Sequence, residues 1–366
     1  MSDFLEKFIN KLSSKDESIV SLDTVDYFQD TSSWVSLGSP YLDYKLNTFG
    51  LPVGITEIRG ESMGGKTTFS LHGLKYFQKT YPDGIAVILS TERRDNKVYA
   101  KAIGINTNKI IIVNCKSIED VFNKTQQLIS DGADHWKSQG LEGKPKFFFV
   151  WDSLGNTISS QEKKFMIDAS DEDNEEHHRT AMGSAARALK RGLRFMTAQI
   201  YDHDIWFVII NQVYDSMSGF GAGKNSYGGK GIKYAPTLRV QTTLTKQLRI
   251  RDEKRGQIST IEVIKSDFNS CKDKFDIEIM WGKGIILSEP DFKMGVDAGI
   301  LEKHGKSGYS FMKGKLAWAS KPALYDLYDN KNPLLEVLRN KLIKVSHALI
   351  LEERQKEMEQ EDDTED

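Results

Sequence analysis

Only two cysteines occur in 366 residues, Cys115 and Cys271, far apart and without a CxxC or histidine companion. This excludes a disulfide framework and argues against a zinc site, and it suits a reducing compartment. Long apolar runs are missing as well: no stretch approaches about 18 uncharged apolar residues, the length of a membrane-spanning helix. Met1 to Ser14 carries Asp3 and Glu6 among its apolar residues and does not read as a signal peptide. An excess of one charge is also absent. Fifty basic residues face 52 acidic ones, so a uniformly basic nucleic-acid coat is excluded and any such contact must come from local patches. A soluble intracellular protein is expected.

What the chain does have is core-forming material. Hydrophobic residues make up 39% and aromatics 10%, which excludes wholesale disorder, and the length exceeds one average domain. Ile55–Ile58, Ala86–Leu89, Ile110–Val113, Phe147–Val150 and Trp206–Ile210 are short continuous apolar runs separated by polar helical stretches. Such runs predict an α/β fold with a mainly parallel sheet covered by helices on both faces. Leu238–Leu244, Thr260–Ile264 and Phe275–Met280 lie close together and read as meandering strands.

The ends read differently. Phe4, Leu5, Phe8, Ile9 and Leu12 recur at helical spacing, which predicts a short amphipathic arm ahead of a polar linker. Asn332-Pro333 opens a helix carrying Leu335, Leu338, Leu342 and Val345. From Glu352 to Asp366 nine acidic residues face Arg354 and Lys356, a solvated tail. The expected organisation is an arm and linker over 1–32, a core over 33–286, a small C-terminal α/β domain over 287–351 and an acidic tail over 352–366.

Gly60, Glu61, Ser62, Met63, Gly64, Gly65, Lys66 and Thr67 fit GxxxxGK[ST], between a strand ending at Ile58 and a helix over Thr68–Thr80. Glycines let backbone N–H groups turn inward around an anion, and the helix N-terminus adds positive potential. Lys66 would reach the β- and γ-phosphates of ATP, and Thr67 would hold Mg²⁺. The second acidic group is Asp152, which ends the apolar run Phe147–Trp151; ligands bind at that edge of open α/β sheets.

With these residues the chain resembles the RecA family of recombinases, in its phage UvsX-like branch, over roughly residues 33–286. The resemblance is carried by Ser36–Asp43, Gly50–Ser62, Ser90-Thr91-Glu92 with Tyr99–Asn106, Trp151–Asn156, Met182–Arg187 and Ile210–Gln212. It implies a RecA-type core and a DNA-dependent ATPase that forms helical filaments on single-stranded DNA for strand exchange with homologous duplex. Loading and single-strand-binding proteins are implied as partners, and the cytoplasm (of a host cell, for a phage protein) as the location.

The resemblance also implies roles for single residues. Glu92 would orient the attacking water, Tyr99 stack on the adenine, Thr68 bind the nucleotide next to the phosphate loop, and Gln212 sense the γ-phosphate. Lys233 and Lys265 would face ATP held by the adjacent subunit, and Tyr234 would pack across the same nucleotide-binding interface. Met182, Gly183, Met217, Gly228 and Gly229 would bound the two DNA-binding loops. Arg187, Lys190, Arg191 and Arg194 share one helical face without an acid, and nine basic residues face Asp252 and Glu253 between Phe220 and Arg255. Gln161–Arg179 reads as an acidic loop beside the DNA path, and Tyr214–Gly231 as a long glycine-rich loop.

The family pattern is broken in three places: Asp267 follows Lys265 where a second lysine is common, Asn96 stands at the adenine-contacting aspartate if Tyr99 is aligned (with Asp95 one place off), and Tyr214 and Asp215 follow Gln212. Three alternatives share the phosphate loop. A hexameric RecA-fold helicase would form closed rings. A non-catalytic recombination mediator or scaffold would have no need of Glu92, and a P-loop kinase would act without DNA.

Overall fold

Phe147-Phe-Phe-Val-Trp151 shows how the molecule is layered. Phe148 and Val150 enter one apolar core with Phe69, Leu74 and Phe77, while Phe147, Phe149 and Trp151 enter another with Phe122, Leu189 and Leu193. A strand alternates its side chains between faces, so an unbroken apolar run is stable only where both faces are covered.

The structure is a computed structural model. It describes residues 7–8, 11–12, 14–15, 33–92, 97–168, 183–215, 224–229, 231–250, 252–268, 274–286, 288–305, 308–319 and 332–362. The chain divides into two compact units, Met1–Trp34 and Val35–Asp366. In the first, 7–8 and 11–12 are helical; Phe4, Leu5 and Ile9 of the expected arm lie outside the described residues.

The second unit is built on ten strands. In chain order its elements begin α1 (Pro40–Leu46), β1 (Gly54–Gly60), α2 (Lys66–Thr80), β2 (Ile85–Ser90), α3 (Lys97–Ile103), β3 (Ile110–Asn114), α4 (Ile118–Ser138), β4 (Lys146–Asp152) and α5 (Ser160–Asp168). They continue as α6 (Ser184–Asp202), β5 (Asp204–Asp215), β6 (Lys224–Ser226), α7 (Gly231–Tyr234), β7 (Leu238–Ile250), β8 (Glu253–Ser266), β9 (Phe275–Met280) and β10 (Gly284–Ile286). The sheet order is β10-β9-β8-β7-β1-β5-β4-β2-β3, with β6 on β5. Strands β7, β1, β5, β4, β2 and β3 run parallel, and β8, β9 and β10 add on antiparallel. This is the α/β architecture expected from the apolar runs. Because β1 lies between β5 and β7, the segment after it opens into a crevice at the carboxyl edge of the parallel strands.

Local chemistry sets the helix starts. Ser117 Oγ accepts from the Asp120 backbone N at 3.1 Å, with Glu119 and Asp120 in the first turn of α4. Ser159 and Glu162 form a reciprocal capping box that starts α5, so the expected acidic loop from Gln161 is helical as far as Asp168. Its remainder, with Asp171, Glu172, Asp173, Glu175 and Glu176, lies outside the described residues. The expected loop from Tyr214 is likewise partly ordered: Val213–Asp215 pairs with β6.

Beyond β10 come α8 (Ser288–Asp297), a three-stranded antiparallel sheet of β11 (Leu301–His304), β12 (Gly308–Phe311) and β13 (Leu316–Trp318), and α9 (Pro333–Asp362). Their own core contains Phe292, Leu301, Phe311, Trp318, Leu338 and Leu342. The helix α9 continues past residue 352 to Asp362, where the sequence suggested only a solvated tail. Part of the reason is Tyr44, whose hydroxyl donates to Glu353 Oε1 at 2.7 Å. Among the described residues no helix is long and apolar enough to cross a membrane.

Candidate nucleotide and DNA site

The phosphate loop leaves β1 at Gly60, which pairs with Gln212 on one side and Thr242 on the other. Gly65 caps α2 in the left-handed region at φ 93°, a conformation that an L side chain resists. Lys66 begins the helix, and its Nζ donates to the carbonyls of Gly60 (2.9 Å) and Glu61 (2.6 Å). Burial lowers the Lys66 pKa, while the carboxylates of Asp152, Glu92 and Glu61 oppose that shift. Ser62 and Met63 are exposed at the loop tip.

Thr67 Oγ1 donates to Asp152 Oδ2 at 3.2 Å, joining positions 85 residues apart. Magnesium favours a few hard oxygen ligands alongside phosphate oxygens, and a hydroxyl beside a carboxylate fits that preference. Thr68 Oγ1 and the Tyr99 hydroxyl lie 2.6 Å apart. Burial raises the Tyr99 pKa, and the Thr68 hydrogen bond opposes it. A cavity of about 290 Å³ lies here, lined among others by Thr67, Glu92, Tyr99, Asp152, Ile88 and Ile112.

Glu92 stands two residues beyond Ser90, the β2 residue paired with Asp152. Its Oε1 accepts from Ser153 Oγ at 2.6 Å and from Asn156 Nδ2. Gln212 packs against the same turn: a Cβ on Gly155 would lie 3.0 Å from its Cβ and Cγ. The carboxyl edge thus gathers Lys66, Thr67, Glu92, Asp152 and Gln212. It can cradle polyphosphate, hold a cation and present a carboxylate to a water.

Compared with known families, the chain matches the RecA N-terminal domain over residues 5–135 and 166–286. The chain belongs to the RecA family. Protein RecA of Mycoplasma pneumoniae is 27% identical over 359 residues, spanning 94% of this chain and 97% of that protein. Protein RecA of Chlorobium chlorochromatii is 28% identical over 284 residues (77% and 73%), and that of Sinorhizobium fredii 28% over 331 (90% and 82%). The interval between the two RecA-domain spans holds Asp152 and Asn156.

The helix α6 carries the expected basic face. Arg187, Lys190, Arg191 and Arg194 are exposed, while Leu189, Leu193 and Met196 are buried on the opposite side. Gly183 caps this helix at φ 76°. Gly228 and Gly229 return to the same helix end: a Cβ on Gly228 would meet Leu189 at 2.4 Å, and one on Gly229 would meet Ala186 at 3.6 Å. The boundaries of both expected DNA loops therefore meet at one end of α6. Met182 and Met217 lie outside the described residues, as does Asn96.

Lys233, Tyr234 and Lys265 are not gathered at the phosphate loop of their own chain. Lys265 pairs in register with Arg239, itself opposite Glu57, so it lies level with the middle of β1, three residues short of Gly60 where the phosphate loop leaves. Its Nζ donates to the carbonyls of Tyr234 (3.0 Å) and Pro236 (2.6 Å) and pairs with Asp267 Oδ1 at 2.9 Å. Lys233 is exposed, and Tyr234 is 73% exposed.

Three contacts escaped the sequence reading. Gln257 holds the loop at Met63, Asn156 holds Glu92, and a buried cluster braces β1. In that cluster Glu57 Oε2 accepts from Arg239 Nε at 2.6 Å and Oε1 from Asn211 Nδ2 at 2.8 Å. Asn211 Nδ2 also reaches the Tyr227 carbonyl at 2.9 Å, just before Gly228. Only the burial of a Glu–Arg pair, visible in strand patterning as charges within apolar runs, could have pointed to this one.

Proposed function

We propose that this chain is an ATP-dependent strand-exchange recombinase of the phage UvsX-like branch. It assembles head to tail into a helical filament on single-stranded DNA and pairs that strand with homologous duplex. The observation that carries the reading is the meeting of Thr67 with Asp152, beside Glu92, at the carboxyl edge of a RecA-family sheet.

In this mechanism Lys66 and the loop amides neutralise charge on the phosphates, as in other phosphoryl-transfer sites. Thr67 and Asp152 would hold Mg²⁺, which supplies further charge neutralisation when bound. Glu92 orients the attacking water by accepting its hydrogen bond. The water oxygen bonds to the γ-phosphorus as the bond to the departing ADP oxygen breaks, giving ADP and phosphate. Gln212, three residues before the end of β5, reports the γ-phosphate to the segment leading to Gly228 and Gly229.

Lys233, Tyr234 and Lys265 complete the site of a neighbouring subunit, a heterologous contact that need not close into a ring. Gly183, Arg187, Lys190, Arg194, Gly228 and Gly229, with Met182 and Met217, contact DNA. Loading and single-strand-binding proteins are the partners such a filament needs, and the cytoplasm is its place. Residues 33–286 form the ATPase core, with 1–32 as an oligomerisation arm and 287–351 as a small domain before the acidic residues from 352.

Electron microscopy with a non-hydrolysable ATP analogue, with and without single-stranded DNA, tests the reading. Nucleotide-dependent filaments on DNA are expected. Closed rings would favour a helicase, and monomers with no DNA association would overturn strand exchange.

A further inference from the structure

Asn156 sits in a short turn, Leu154–Asn156, that the proposed mechanism leaves without a role. The turn is firmly held. Leu154 is buried, Thr157 Oγ1 donates to the Ser153 carbonyl at 2.7 Å, and the Thr157 backbone N donates to the Leu154 carbonyl at 3.0 Å. From this base Asn156 Nδ2 and Ser153 Oγ converge on a single oxygen, Oε1 of Glu92. Two donors on one carboxylate oxygen restrict rotation of the carboxyl group far more than one does, and hydrogen bonds to a charged acceptor are the strong kind.

The middle of the turn touches Gln212. Gly155 has no side chain where a Cβ would lie 3.0 Å from Gln212 Cβ and Cγ and 3.3 Å from Cδ. The turn is thus a held piece with Gln212 packed against Gly155 and Glu92 bonded to Ser153 and Asn156. A shift of Gln212 by a few tenths of an ångström must press on Gly155, and the carboxylate moves with it, because packed groups transmit displacement rather than absorb it.

We propose that Asn156 is a positioning residue for Glu92, and that the Ser153–Asn156 turn couples the place of Gln212 to the aim of that carboxylate. The inference rests on the ATPase reading above and adds to it how γ-phosphate sensing sets the hydrolytic geometry.

The test uses the full chain with Mg²⁺-ATP and single-stranded DNA, comparing Asn156→Ala, the near-isosteric Asn156→Asp and Gly155→Ala. Each is made alone and in a Glu92→Gln background, with single-turnover hydrolysis and fluorescent-nucleotide binding measured together. Asn156→Ala should lower the hydrolysis rate about tenfold, the scale of one charge-assisted hydrogen bond, with nucleotide affinity within about twofold of wild type. Asn156→Asp should lose more, since it sets a second carboxylate against Glu92. Gly155→Ala should also slow hydrolysis.

In the Glu92→Gln background these losses should largely vanish, because residues acting through one group are non-additive. Equal losses in both backgrounds would mean a merely structural effect and overturn the proposal, as would wild-type rates in the three variants. If Glu92→Gln itself hydrolyses ATP like the wild type, the ATPase assignment of Glu92 fails instead.

Discussion

Gln257 and Met63 join the antiparallel end of the sheet to the phosphate loop: Gln257 Nε2, on β8, donates to the Met63 carbonyl over 2.6 Å. The same nitrogen lies 2.9 Å from Ser259 Oγ, which keeps the amide aimed. Met63 is a non-glycine residue at φ 62°, a left-handed conformation that costs roughly 1–2 kcal/mol. A buried side chain on β8, two strands from β1, offsets that cost. Gln257→Ala should therefore weaken ATP binding about fivefold, the net worth of one hydrogen bond, and raise KM more than it lowers kcat. Nucleotide titration and steady-state kinetics check this; unchanged affinity would mean that the loop holds its shape unaided.

The exposed basic face of α6 has a salt signature. Each single-strand phosphate neutralised contributes about 0.7 to 1 unit to the slope of log affinity against log salt. Replacing Arg187 and Arg194 together by Ala should lower that slope by about 1.4 to 2 units on single-stranded DNA, measured by anisotropy with an ATP analogue present. An unchanged slope would place DNA elsewhere on the surface.

The Lys265–Asp267 pair is partly exposed, with side chains 29% and 44% accessible. Such pairs contribute about 0–1 kcal/mol, so Lys265 can leave Asp267 for a neighbour's phosphates at small cost. Lys265→Ala should depress DNA-stimulated hydrolysis while leaving ATP binding to the subunit intact. Mixed with Lys66→Ala protein it should regain part of the activity, since one interface in the mixed filament keeps both intact halves. Co-assembled mixtures without any recovery, at every ratio, would show that each site is completed within one chain.

Stability should depend on Asp43. Burial pushes its carboxyl up to about 7, with the nearby Asp291 adding to the shift and the Ser36 and Leu37 hydrogen bonds opposing it. Across the window from the ordinary 3.8 to about 7 the native protein keeps a proton that the unfolded chain has released. Stability from this group is thus present at low pH and lost as pH rises, by up to about 1.4 kcal/mol per pH unit. The buried His72, lowered to about 3, acts in the opposite direction, losing stability as pH falls below 6.5. Asp43→Asn should leave the His72 effect unopposed, so urea midpoints measured from pH 4.5 to 6.5 should climb more steeply than in wild type. Parallel profiles would refute the raised carboxyl.

Much of the architecture was legible because it is written in local periods. Five apolar runs became β1 to β5 of the sheet, and Gly60–Thr67 lay between a strand and a helix as the phosphate-loop pattern requires. The basic face of α6 could be read from spacings of three and four residues. The helix over Ser160–Asp168 is encoded by the capping-box pair Ser159 and Glu162, a local signal weaker than the run of carboxylates that follows, which reads as loop.

What the sequence determined by itself is therefore the set of elements and the residue types at their ends, since strand alternation, helix spacing and glycine-rich turns are properties of neighbours along the chain. The tertiary structure alone decided which distant residues meet. Gln257 and Met63 are separated by 194 residues, Glu92 and Asn156 by 64, and Thr67 and Asp152 by 85. These contacts depend on the order in which β1 comes to lie between β5 and β7, with β8 beyond it. Strand order is set by packing of whole faces against one another, a free energy summed over many residues that no single segment of the chain encodes.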